Sequence, residues 1–186
     1  MYFEVNRLAI CIEKRANIFT AVLLLLSLCA ISDALSEERS GVYDDWSYKC
    51  ASISDSTSEQ LCEISQVVSV ADEGHPVEVL RLAVSRASDG KKRGYQLVAL
   101  APPGVHLPSD FGLMAGNTRL SLSRYRNCDP RGCFVVVPLT GDSIKRLRRS
   151  NEGAAYFRDL AGRAIKVTFS LKGFTKAFDR LAGDGR

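Results

Sequence analysis

Alternation of apolar and polar side chains dominates the chain from Trp46 onward and predicts strands rather than helices. Trp46, Tyr48 and Cys50 alternate with Ser47 and Lys49, so two rings and a sulfur share one face of a strand. After a polar turn region from Ser52 to Glu59, Cys62, Ile64, Val68 and Val70 keep a second strand in phase. Gly74-His75-Pro76 breaks it. The next strand, Pro76 to Val84, changes apolar phase between Val79 and Leu80, which predicts a bulge or burial on both faces. Asp89 to Gly94 is a charged hairpin tip, Tyr95 to Ala101 returns, and Pro102-Pro103-Gly104 stops that strand.

Val105 to Gly116 is short, irregular and rich in leucine, phenylalanine and methionine, and reads as a loop or edge strand lying over the core. Leu120 and Leu122 alternate with Arg119, Ser121 and Ser123 in a strand that enters Cys128-Asp129-Pro130-Arg131-Gly132-Cys133. Asp, Pro and Gly there occupy positions one, two and four of a type I turn, with a cysteine on either side. Phe134 to Val137 is apolar on both faces, as a central strand should be, and Pro138 ends it. A helix follows with Asp142 as its N-cap, Ile144 and Leu147 facing inward, and Arg148 and Arg149 at its C-terminal end.

Ile165, Val167, Phe169 and Leu171 then alternate with Lys166, Thr168 and Ser170 in the cleanest half-buried strand of the chain. Phe174, Ala177, Phe178 and Leu181 fall at helical spacing before Gly183, so an amphipathic helix closes the sequence. Gly173, at that junction, is expected where the backbone passes close to a neighbour or takes positive φ. Trp46, Phe174 and Phe178 are assigned to the core. Many short strands with frequent turn signals predict an all-β sandwich with one or two short peripheral helices, including the C-terminal one.

The N-terminus changes the compartment. Arg7, Lys14 and Arg15 precede an apolar run from Ala16 to Ile31, and Ser32-Asp33-Ala34 offers small residues at a cut site. Residues 1–34 are therefore read as a signal peptide, the run being shorter than the roughly 20 residues of a spanning helix. Residues 35–45 are taken as a polar, flexible lead-in and 46–186 as one domain, long enough to bury about 70% of the unfolded chain's surface. The mature protein is expected not to span a membrane.

Export to an oxidising space pairs the remaining cysteines, for which Cys50–Cys62 and Cys128–Cys133 are the preferred bridges. A zinc site is disfavoured, because no close Cys-x-x-Cys pair exists.

The net charge of +4 hides an uneven distribution. Residues 35–80 carry two basic and ten acidic side chains, whereas residues 119–149 carry eight basic and two acidic. The simpler expectation is that strands from the two regions lie side by side and complement each other. The alternative is two faces of opposite sign that meet different partners.

Several short stretches resemble, in the same order, the invasion-associated locus B family. They are Trp46 with Cys50, Cys62-Glu63-Ile64-Ser65-Gln66, Gly104-Val105-His106-Leu107-Pro108, Cys128 with Gly132-Cys133, and Ser170-Leu171-Lys172-Gly173-Phe174-Thr175-Lys176-Ala177. The resemblance spans roughly residues 46 to 181. It implies an exported protein of Gram-negative bacteria, in the periplasm or at the outer surface, with an immunoglobulin-like sandwich. Its founding members are associated with entry into host cells, notably red blood cells. Two features depart from the pattern: Ser109-Asp110-Phe111-Gly112 delays the second glycine of its loop, and Pro102-Pro103 replaces a more usual apolar residue.

Candidate chemistry is sparse. His106, Ser109 and Asp110 lie close in sequence, but a hydrolytic triad needs a positioned base and an oxyanion hole, and no Gly-x-Ser-x-Gly elbow supplies one. His75 has no second histidine at metal spacing, and Glu37-Glu38 and Asp44-Asp45 lie in the lead-in, where nothing fixes a catalytic separation. No phosphate loop, dinucleotide fingerprint or calcium loop occurs, so neither cofactor nor metal is assigned.

Lys145, Arg146, Arg148 and Arg149, with Arg124 and Arg126 nearby in sequence, form a candidate anion-binding cluster. Export and a single interleaved aromatic, Tyr125, argue against nucleic acid. The expected function is a non-enzymatic binding protein, its partner an envelope or host-surface protein, an anionic glycan or a lipid headgroup. The alternatives are an envelope hydrolase and a structural periplasmic protein.

Overall fold

The computed structural model describes residues 40–54, 57–88 and 93–184, among which the alternating pattern becomes eleven strands and two helices. The strands are β1 (Ser40–Tyr43), β2 (Trp46–Ser54), β3 (Thr57–Asp72), β4 (His75–Ser88), β5 (Arg93–Ala101) and β6 (Phe111–Ala115). They continue with β7 (Thr118–Ser123), β8 (Tyr125–Asp129), β9 (Gly132–Leu139), β10 (Glu152–Arg158) and β11 (Ala164–Ser170). Helix α1 (Gly141–Arg149) joins β9 to β10, and α2 (Phe174–Gly183) closes the chain. The expected signal peptide and the hairpin tip at 89–92 lie outside the described residues.

Every strand pair is antiparallel. A seven-stranded sheet runs β1-β2-β3-β4-β5-β9-β8, and a four-stranded sheet runs β11-β10-β6-β7. Their inner faces form one core: Leu80, Leu82, Leu97, Ala99 and Val135 from the large sheet meet Phe111, Leu113, Ala155, Val167 and Phe169 from the small one. This is an all-β sandwich with two short helices.

Four strands cannot cover seven, and α2 covers part of the remainder. Its buried stripe, Phe174, Ala177, Phe178 and Leu181, is the predicted amphipathic face. Phe174 meets Trp46 edge to face with ring centroids 5.1 Å apart, and Phe178 lies 4.6 Å from Tyr95. Arg86 donates to the carbonyls of Leu181 and Ala182, satisfying acceptors at the helix C-terminus. At the other end, Gly173 has φ of 81°, and a Cβ there would overlap the carbonyl oxygen of Tyr43. Positive φ and close approach therefore both demand glycine at this junction.

Several expectations need correction. Residues 40–43 of the supposed lead-in form β1, paired with β2. The segment read as a loop or edge contains β6, which lies inside the small sheet between β10 and β7. β10 escaped the sequence reading altogether. Pro138 does not end β9, which continues to Leu139; beyond the Tyr125–Val135 pair that stretch has β5 as its one neighbour, so a missing N–H is tolerated. The N-cap of α1 is Thr140, whose Oγ1 accepts from Ser143 N at 3.1 Å, while Asp142 sits in the first turn.

The phase change between Val79 and Leu80 is a bulge. Val68 pairs with Leu80 and Ser69 with Glu78, which leaves Val79 as the extra residue. The oppositely charged regions do not lie side by side either. The acidic one supplies β1 to β4, β5 intervenes, and the basic one supplies β9 and β8 at the far end of the sheet.

Candidate functional site

Two covalent staples fix the hairpins that border the candidate sites. Cys50 is bonded to Cys62 across the β2–β3 ladder, and Cys128 to Cys133 across β8–β9, each pair being directly opposed in register. The zinc alternative has no free thiol in either pair. The tip of the second hairpin forms because Asp129 accepts from the Arg131 backbone N–H at 2.8 Å. Gly132 is needed there, since a Cβ would overlap the Ala101 carbonyl oxygen on β5.

His106 and Ser109 do meet: Nδ1 and Oγ are 2.8 Å apart, and Ser109 N donates to the His106 carbonyl at 3.0 Å. This is one tight turn in the connection between β5 and β6. Asp110 is turned elsewhere. It pairs with Arg124 Nε at 2.9 Å, while Arg124 Nη1 donates to Pro108 O. No carboxylate orients the imidazole among the described residues, so the contact is a dyad that ties a loop. His75 is exposed at the β3–β4 turn, opposite Asp72 in register.

The basic cluster is divided by its own helix. Arg148 turns toward α2, where it pairs with Asp179 and lies 5.0 Å from the centre of the Phe178 ring. Arg146 pairs with Asp142 at 2.8 Å and reaches Thr118 at 3.2 Å. Lys145 and Arg149 are exposed and line a shallow pocket of about 240 Å³ with Thr118, Asp142 and Ser150. The Arg146 hydrogen bond holds the Asp142 carboxyl below its ordinary value, so it stays ionised at neutral pH. Arg124 is engaged with Asp110 as described, and Arg126 is exposed on β8.

An apolar cleft opens between the two sheets beside β11. The cleft, of about 580 Å³, is walled by Val68, Val79, Val105, Phe157, Ile165 and Val167, with Lys166 and Thr168 also lining it. Such a volume and such walls are typical of ligand sites. Around it, Asp159 pairs with Arg163 at the β10–β11 turn, and that hydrogen bond holds the Asp159 carboxyl below its ordinary value. Burial raises the Tyr125 hydroxyl on the opposite edge of the large sheet. The sequence reading named no residue of this cleft as a site, although the Val79 phase break and the alternation from Ile165 to Leu171 mark both of its walls.

The sequence matches the family described as Invasion associated locus B (IalB) protein over residues 46–182. The chain belongs to that family. The matched span runs from Trp46, the start of β2, to the last turn of α2, and includes both bridges and the cleft. Among solved structures, the crystal structure of invasion associated protein B from Bartonella henselae is similar. It superposes with a TM-score of 0.66 at 18% identity, covering 77% of this chain and 96% of that one. At that identity the likeness speaks for the fold. A search of curated protein sequences returned no match. Membership of the IalB family and two disulfides are the marks of an extracytoplasmic protein, and no helix among the described residues is long and apolar enough to cross a membrane.

Proposed function

We propose that this IalB-family chain is an exported, non-enzymatic binding protein of the cell envelope or host surface. Residues 1–34 direct it to the periplasm or the outer surface of a Gram-negative cell and are then removed. The domain that follows holds its partner by surface contacts, without a cofactor or a metal. The partner is an envelope or host-surface protein, an anionic glycan or a lipid headgroup, and nucleic acid is excluded by the compartment. The similar Bartonella henselae protein carries invasion in its name, and a role in host-cell entry is the corresponding proposal here.

The observation that carries this reading is the concentration of positive charge on α1, where Lys145, Arg146, Arg148 and Arg149 outnumber Asp142, while the acidic Glu63, Asp72, Glu73 and Glu78 lie on the β3–β4 hairpin. Lys145 and Arg149 make no ion pair among the described residues and remain available to an anionic group. Binding through them weakens steeply as salt rises, because exposed charges are screened over about 10 Å at 0.1 M.

Cross-linking in intact cells, followed by identification of the captured molecule, tests the reading. A specific partner is expected, and reversing the charge of Lys145 and Arg149 should reduce its capture if it is anionic. Loss of host-cell entry in a deletion strain is the expected outcome for the host role, and unchanged entry rejects it. A hydrolase is the second reading, and it rests on the His106–Ser109 contact at 2.8 Å. It requires Ser109→Ala to abolish turnover of an ester substrate that the wild type hydrolyses.

A further inference from the structure

β11 is the terminal strand of the small sheet, and its backbone parity can be read from neighbouring hydrogen bonds. The carbonyls of Glu152 and Arg158 face β6 and the loop before it, accepting from Gly116 N and His106 N. The carbonyl of Asn151 faces the other way, accepting from Leu171 N. Gly153, Ala155 and Phe157 therefore bond to their register partners Phe169, Val167 and Ile165. Ala164, Lys166, Thr168 and Ser170 consequently direct their backbone N–H and C=O groups away from the sheet.

The Ser170 carbonyl is taken by the Trp46 indole N–H at 3.1 Å. The backbone groups of Lys166 and Thr168 have no strand partner among the described residues, and both residues border the apolar cleft.

Across the cleft stands the end of the β3–β4 hairpin. Val68 and Val70 lie on the inward face of β3, and Val70 is 49% exposed, as Val77 opposite it is 44% exposed. Here the large sheet runs past the edge of the small one. A two-stranded ribbon with an uncovered apolar underside is poorly stable in water. One more strand beside β11 would lie under that ribbon and satisfy the free backbone groups.

The charge of such a strand is also indicated. Lys166 points to the outer face of the small sheet, 5.9 Å from the centre of the Tyr156 ring, with no carboxylate partner among the described residues. An acidic side chain on the outer face of an added strand would complement it.

We propose that the free edge of β11 takes up an extended peptide as a fifth strand of the small sheet. Its alternate apolar side chains enter the cleft against Val68, Val70 and Val79, and its acidic ones lie outward beside Lys166. This deepens the binding reading above and rests on it. Main-chain hydrogen bonds supply affinity in this mode of recognition, and the pockets for alternate side chains supply specificity.

The test uses a displayed library of seven-residue segments, the length of β11, in which valine, isoleucine or leucine alternates with aspartate or glutamate. A library of equal composition and scrambled order is the control. The purified mature protein should enrich the alternating pattern. A synthetic peptide recovered in this way should bind Thr168→Pro about tenfold more weakly, because one edge donor is gone.

Proline is tolerated there, since that N–H makes no bond within the sheet, and an unchanged melting temperature checks this. Val70→Glu should also weaken the peptide, whereas Leu122→Glu on β7 should leave it unaffected. Equal enrichment of the scrambled library overturns the proposal, as does a peptide or acyl chain held equally well by Thr168→Pro. Should cells still yield a cross-linked partner that Thr168→Pro captures undiminished, binding stands and the strand-addition site falls.

Discussion

Two positions on the same face of the same strand meet opposite fates. Ile64 and Val70 both point inward from β3, yet Ile64 is 0% exposed and Val70 is 49% exposed. Both are β-branched aliphatic residues, and the strand keeps its parity between them although polar Gln66 interrupts the inward row. What changes is the opposing element: the β2–β3 end has α2 and Trp46 packed on it, while the β3–β4 end projects past β11. Alternation thus fixes which way a side chain points, and the third dimension decides whether anything is there to receive it.

The sharpest way to break that comparison is to shorten both side chains. Ile64→Ala should lower unfolding free energy by about 2–5 kcal/mol, as buried large-to-small changes do. Val70→Ala should stay within about 0.5 kcal/mol, as surface changes do. Denaturant unfolding of the two variants measures both, and equal losses would mean that the ribbon's underside is covered.

The two disulfides extend the contrast to the covalent level. Replacing Cys50 and Cys62 together by alanine should cost about 3 kcal/mol, and replacing Cys128 and Cys133 about 2 kcal/mol, because the second loop is shorter and constrains the unfolded chain less. Urea midpoints of the two double variants should rank in that order. A smaller effect is expected at the covered end from Arg86→Ala. Losing the two hydrogen bonds to Leu181 and Ala182 should cost about 1.5 kcal/mol and increase amide exchange in the last turn of α2.

The smallest effect belongs to the exposed carboxylates. Hydrogen bonds from Arg163, Arg131 and Arg146 hold Asp159, Asp129 and Asp142 below their ordinary values. Their folded values lie under the unfolded ones, so whatever stability they add is present above about pH 4 and is lost as pH falls through the folded values. All three are solvent-exposed pairs, for which such contributions are small. Asp159→Asn should therefore flatten the acid limb of a stability–pH profile only slightly.

Much of the architecture is legible in the chain because it is local. Alternation marks β2, β3, β7 and β11, a continuous apolar run marks β9, the Val79–Leu80 phase break marks a bulge, and Gly173 marks a backbone crossing. β10 hides because Gly153-Ala154-Ala155 offers no apolar contrast; a larger residue at Gly153 would collide with the Phe169 ring. β1 hides because four residues beside an acidic pair carry no period. Thr140 and Asp142 are both good capping types two residues apart, and only the hydrogen bond to Ser143 distinguishes them. The cleft is less legible still. Its walls come from β3, β4, β10, β11 and the loop after β5, and no property of any one segment states that the small sheet stops short of the large one.

Amide hydrogen exchange along β11 tests that openness most directly. Ile165, Val167 and Phe169, which face β10, should exchange slowly, while Lys166 and Thr168 should exchange orders of magnitude faster in the unliganded protein. Uniformly slow exchange at all five positions would contradict the account, because it would mean that another strand already occupies the edge.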